Sequence, residues 1–142
     1  MSYPVYESYR KSGVEWLGDI PKHWEVRRLK FSVDLINNKI GYQNKDLRFI
    51  GLENIESWTG KRIHDKNSTS EGITSEFDRN DVLFGKLRPY LAKVLLCDFN
   101  GTCTTEALVL RTLKDLLPNF LTYYFRTPDL RDFNLIPIRS SI

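Results

Sequence analysis

Residues 81–111 hold two combinations of residue types that can do chemistry. The first is a polyanion grip. Lys86, Arg88 and Lys93 sit beside two apolar runs, Val82-Leu83-Phe84 and Val94-Leu95-Leu96, and Tyr90 adds an aromatic face among the cations. A buried scaffold with a basic rim can hold phosphates while its own backbone stays fixed. The same residues also describe a core hairpin whose lysines are solvated, or paired with Asp78 or Asp81. The second combination is a looser one. Asp81, Lys86 and Glu106 are the acid and lysine types that a metal-dependent nuclease uses, although carboxylates at strand ends more commonly have no such role.

A second basic cluster, Lys61-Arg62-Ile63-His64-Asp65-Lys66, precedes a polar loop over 67–75. Asn67 and Ser68, followed by Thr69 and Ser70, carry the side-chain types that hydrogen-bond base edges in a groove. Such a loop is either an idle surface segment or an adaptable binding one. The candidate DNA-binding set is therefore Lys61, Arg62, Asn67, Ser68, Lys86, Arg88, Tyr90 and Lys93. Other chemistries lack their motifs. No glycine-rich phosphate loop, His-Glu-x-x-His or paired Cys-x-x-Cys occurs, so no cofactor or metal is assigned. His23 and His64 are too isolated to complete a metal site with the cysteines.

These residues need elements to position them. Asn100-Gly101 is a turn signal between two β-type runs. A two-residue loop there would set Cys97 opposite Thr104; a three-residue loop would set Cys97 opposite Cys103. Two free thiols are expected in a reducing compartment. Upstream, residues 24–29 alternate as a short strand with Trp24 and Val26 on one face. Leu29, Val33 and Ile36 fall at helical spacing, which predicts a short helix over 30–36, stopped by Asn37-Asn38 and Gly41. Residues 47–52 form the next strand, and 53–60 a turn with Trp58 near its tip. Downstream, 113–126 reads as a helix with Pro118 in its first turn and Leu117, Leu121, Tyr124 and Phe125 along one face. A second short helix follows, with Thr127 as N-cap and Leu130 and Phe133 facing inward.

The chain has 142 residues, of which 41% are hydrophobic, 27% charged and 13% aromatic. That is enough apolar surface for one folded unit and argues against disorder. The net charge of +3 permits a nucleic-acid partner without requiring one. There is no apolar run long enough to span a bilayer and no basic-then-apolar leader, so a cytoplasmic location is expected. The fold class is α/β (α+β), a twisted β-sheet with short packed helices.

Three segments together resemble the specificity subunit of type I restriction-modification systems. They are residues 9–29, from Tyr9-Arg10-Lys11 through Gly13-Val14-Glu15-Trp16-Leu17-Gly18 to His23-Trp24; Phe49-Ile50-Gly51-Leu52-Glu53-Asn54-Ile55 with Gly60-Lys61; and residues 77–94 with Thr104-Thr105-Glu106-Ala107-Leu108-Val109-Leu110. The resemblance implies a non-catalytic target-recognition domain that reads half of a split duplex-DNA target. It implies as partners double-stranded DNA, modification subunits that use S-adenosylmethionine to methylate adenine, and ATP-driven restriction subunits. Residues 1–20 then form an N-terminal arm, anchored by Trp16 and Leu17. Residues 21–142 form a target-recognition domain incomplete at its C-terminus, since no heptad run for the family's long spacer helix is present. The competing reading is a protein-interaction module with Tyr3, Tyr6, Tyr9 and Trp58 as docking aromatics. A second copy of the chain is a further candidate partner.

Overall fold

Strands dominate the chain. The computed structural model describes residues 9–11, 19–41, 48–64, 72–86, 89–127 and 135–139. In order these form β1 (Tyr9–Lys11), β2 (Asp19–Pro21), β3 (Trp24–Arg28), β4 (Val33–Ile36), β5 (Lys39–Ile40), β6 (Arg48–Ile50), β7 (Thr74–Phe77), β8 (Val82–Gly85), β9 (Val94–Leu96), β10 (Gly101–Cys103), β11 (Ala107–Thr112), α1 (Pro118–Phe125) and β12 (Leu135–Arg139). Two four-stranded sheets carry the architecture, ordered β5-β7-β10-β6 and β4-β11-β8-β9; β12 pairs with β3 and β1 with β2.

The sheet containing β8 is covered on both faces, which explains its apolar runs. Successive side chains of a strand point to opposite faces. Val82, Phe84, Val94 and Leu110 face α1, where they pack with Leu121, Tyr124 and Phe125. Their neighbours Leu83, Leu95 and Val109 face the other sheet, where they meet Ile50, Phe77, Cys97 and Cys103. The helix starts at Pro118, whose fixed φ and missing N–H suit a first-turn position. Leu117 is only the residue before the helix and is 71% exposed, so Leu116 fills the core instead. No helix among the described residues is long and apolar enough to cross a membrane.

Two expectations fail for one reason: pairing between distant segments overrides local pattern. Residues 30–36 are not a helix. A 3-10 turn, Leu29–Phe31, leads into β4, which pairs antiparallel with β11 in the register Ile36↔Val109 to Val33↔Thr112. Asn100-Gly101 does not join a hairpin either. β9 pairs with β8, whereas β10 runs parallel to β6 and antiparallel to β7. Cys103 therefore stands opposite Ile50 and Ser75, and neither alternative for Cys97 applies. Thr74 and Ser75, expected in the surface loop, are buried in β7. The second helix after Thr127 lies almost wholly outside the described residues, as do Trp16 and Leu17 of the arm.

Both cysteines are free and buried, as expected of thiols rather than a bridge. An ordinary thiol here titrates at 9.0; burial pushes Cys103 up to about 12, and burial followed by the charge of the Cys103 thiol raises Cys97 as well. Because the folded pKa values lie above the unfolded one, this contribution to stability is intact below about pH 9 and falls as pH climbs toward 12. Native protein at mildly alkaline pH is expected to resist a thiol-directed reagent, with both thiols reacting only in denaturant. Rapid labelling of the native chain would contradict that burial.

Candidate nucleic-acid interface

Arg48 opens β6, Arg62 closes the turn after Ile55, and Arg79 lies in the tight turn between β7 and β8. They are far apart in sequence, yet all three line one cleft of about 450 Å³ at the β9 end of the sheet. Phe99 lines it as well. The guanidinium carbons of Arg48 and Arg62 lie 4.6 and 4.8 Å from the Phe99 ring centroid. Phe77 packs against the same ring edge-on at 5.6 Å. Each cation over an aromatic face gains about 0.5–2 kcal/mol, and the stacking fixes the guanidinium plane.

The backbone explains why these residues converge. β10 lies between β6 and β7, so Gly101 is opposite both Arg48 and Phe77. A Cβ on Gly101 would come within 2.7 Å of the Arg48 carbonyl oxygen, 2.9 Å of Phe77 and 3.1 Å of Phe99. Only a residue without a side chain lets the strands approach this closely. Arg62 is set by a bridge to Ile55 and by the turn that Glu56 and Lys61 close with an N–H···O bond of 3.0 Å. That turn holds Trp58 at φ 70° and Gly60 at φ 71°, and the left-handed setting is costly for a tryptophan. Arg126 braces it by donating from Nη1 to the Thr59 carbonyl at 2.7 Å.

Charge sets the character of the cleft. Among the described residues no carboxylate pairs with Arg48, Arg62 or Arg79, and the acid lining the cleft is Asp98. Arg62 Nε is buried and has no hydrogen-bond partner. Asp78 and Asp81, the nearest acids in sequence to Arg79, are bound instead by Arg111. Arg111 donates Nε to Asp81 Oδ1 at 2.8 Å and Nη2 to Asp81 Oδ2 and Asp78 Oδ2 at 2.9 Å each. Hydrogen bonding to Asp81 raises the pKa of Arg111, so its charge is permanent.

The residues singled out from sequence divide between two ends of the β8–β9 hairpin. Arg62 lines the cleft and Lys61 is exposed beside it. Lys86 and Lys93 lie at the opposite end, a strand length of roughly 10 Å away. Lys86 is exposed; Lys93 is half-buried and donates Nζ to the Leu52 carbonyl at 2.8 Å. Tyr90 lies in a 3-10 turn, Pro89–Leu91. Asn67, Ser68 and Arg88 lie outside the described residues. Sequence reasoning did not single out Arg48 or Arg79. No local signal marks them, since each has an acid two residues away in sequence, Asp46 for Arg48 and Asp81 for Arg79. The nuclease triad does not assemble. Asp81 is 1% exposed and held by Arg111 at one end of β8, while Lys86 and Glu106 meet through their backbones at the other. Among the described residues no group of three or more His, Cys, Asp or Glu is placed to hold a metal ion.

No protein-family model matches the chain. It is 31% identical over 96 residues to the type I restriction enzyme EcoDI specificity subunit of Escherichia coli, an alignment covering 63% of this chain and 21% of that protein. The chain thus spans about a fifth of the length of that relative. Its fold matches the HsdS subunit from Thermoanaerobacter tengcongensis with a TM-score of 0.57 at 17% identity, over 92% of this chain and 35% of that one. It also matches a chain from a structural study of complex assembly and conformational transition in a type I R-M system, with a TM-score of 0.59 at 17% identity, over 94% of this chain and 37% of that one. The sequence identity to a named specificity subunit and the α+β fold shared over nearly the whole chain thus agree, and together they liken this chain to a domain of a type I restriction-modification specificity subunit.

Proposed function

We propose that the chain binds duplex DNA sequence-specifically, as the target-recognition part of a type I specificity subunit, and does no chemistry itself. Kinship over 96 residues to a protein named as a specificity subunit carries this reading. The arginine cleft supports it independently, because three clustered guanidiniums with one lining carboxylate, Asp98, keep an excess of positive charge that favours an anion there. Phosphate contacts from Arg48, Arg62, Arg79 and Lys61 would supply affinity and register. Base reading would fall to side chains such as Asn67, Ser68, Arg88 and Tyr90, with Lys86 and Lys93 at the second basic end. Residues 1–20 would act as an arm on this domain. The partners would be DNA and the modification and restriction subunits of one cytoplasmic system, which hold the catalytic sites.

Selection from a pool of randomised duplexes at two salt concentrations tests the reading. The expected result is enrichment of a short half-site, with affinity that falls as salt rises. Salt-sensitive binding without enrichment would leave a DNA-binding surface that does not read sequence. Absence of binding at either salt would overturn the proposal in favour of a protein-interaction module.

A further inference from the structure

We propose that the cleft around Phe99 is a preformed seat for one phosphodiester group, an anchor that holds DNA without reading its sequence. This rests on the DNA-binding reading above and assigns the work of one part of that surface.

Four observations lead to a phosphate rather than a base or a carboxylate side chain of the protein. Arg48, Arg62 and Arg79 come from three separate turns and strands, and among the described residues none has an acidic partner. Arg62 Nε is a buried donor without an acceptor, a state that costs about 1–3 kcal/mol, so the protein spends no internal acceptor on this guanidinium. The guanidiniums of Arg48 and Arg62 are already oriented by Phe99, so little side-chain freedom remains to be lost on binding. The Phe99 ring is occupied by both guanidiniums and by the edge of Phe77, so a base could stack on it only by displacing one of them. Planar guanidiniums with several N–H donors match the oxygens of a phosphate, which brings a negative charge that a base edge lacks.

The cleft also sits on rigid parts. Asn80, in its wall, is held in a left-handed turn conformation that asparagine tolerates, and its N–H donates to the Cys97 carbonyl at 2.8 Å. The turn bearing Arg79 is closed further by the Arg79 N–H donating to Asn100 Oδ1 at 2.7 Å. The anchor is thus fixed before DNA arrives.

The test compares the full chain with Arg62→Gln, Arg79→Gln and the charge-matched control Lys30→Gln. Lys30 is exposed and lies over the Phe31 ring, away from the cleft. Fluorescence anisotropy would be read with a labelled duplex of randomised sequence and with the selected target, across a salt series. Arg62→Gln and Arg79→Gln are each expected to lower the slope of log affinity against log salt by about 0.9. They should weaken binding roughly three- to tenfold, equally on both duplexes, while Lys30→Gln does neither. Arg79 is exposed, so its variant is expected to stay folded even if Arg62→Gln does not. An unchanged slope in folded Arg79→Gln, a loss confined to the selected target, or an equal loss in Lys30→Gln would each overturn the anchor. A wild-type chain that binds no duplex would instead overturn the DNA reading. Inorganic pyrophosphate, titrated calorimetrically, then judges the cleft alone: binding lost in Arg62→Gln keeps an anion seat, and no binding removes it.

Discussion

Arg111→Ala is expected to destabilise the protein by about 3 kcal/mol, because it strands a buried carboxylate. Asp81 is only 1% exposed, while the Arg111 side chain is 41% exposed and reaches in from β11. The pair is bidentate, and Asp81 Oδ2 also accepts the Asp78 N–H at 2.8 Å. Without Arg111, that single backbone donor would face a full charge. The damage would spread to the cleft. The Asp81 N–H donates to the Asp78 carbonyl at 3.0 Å, and the Cys97 N–H donates to the Asp81 carbonyl at 2.9 Å. Asp81 thus closes the turn that carries Arg79 and Asn80 and ties it to the end of β9. Urea unfolding would measure the loss. Adding Asp81→Asn to Arg111→Ala should recover part of it, since a neutral amide can still accept from Asp78 and leaves no charge stranded. A single Arg111→Ala variant within about 0.5 kcal/mol of wild type would show that Asp81 finds other partners.

That ion pair illustrates what the sequence does and does not reveal. Arg111 and Asp81 are 30 residues apart, and they meet only because β11 pairs with β8 in the register Leu110↔Val82. From sequence, Lys86 and Arg88 are the natural partners for Asp78 and Asp81, because they are near. Local signals performed well where the local chain decides. Examples are the strand at Trp24–Arg28, the turn at Trp58 and the placing of Pro118 in a helix's first turn, although the helix, expected from 113, begins only at Pro118. They failed where pairing decides. Leu29, Val33 and Ile36 satisfy helical spacing, yet Val33–Ile36 beside β11 gains more as an edge strand of a buried sheet, with its two β-branched residues Val33 and Ile36 at its ends. Asn100-Gly101 has the composition of a two-residue hairpin turn, but the chain there crosses from one sheet to the other. The family resemblance was legible because it rests on segments in order, which do not require knowing the pairing. The arginine cleft was not legible, because β10 must be inserted between β6 and β7 before Arg48 and Arg79 approach Phe99.

Gly101→Ala joins the fold and the cleft in one experiment. The glycine has no left-handed φ, so backbone freedom is not what it supplies; it supplies space. The new methyl would stand 2.7 Å from the Arg48 carbonyl oxygen and 2.9 Å from Phe77. The first of these is backbone in a paired strand, so it cannot rotate away as a side-chain tip would. Either β6 and β10 separate or Phe77 and Phe99 shift, and overpacking of this kind costs about 1–3 kcal/mol. Both responses move Arg48 or the ring that orients it. Gly101→Ala is therefore expected to lose stability and also to weaken salt-sensitive DNA binding, even under conditions where it is fully folded. Gly41→Ala is the matched control. A Cβ there meets nothing within 4 Å and the φ is not left-handed, so stability and binding should hold or improve slightly. If folded Gly101→Ala binds DNA like wild type, with the same salt slope, then the register of β6 against β10 does not set the cleft, and Arg48 has no part in the anchor. If binding falls while Gly41→Ala is unchanged, then the close approach of these two strands positions the cations as well as the core.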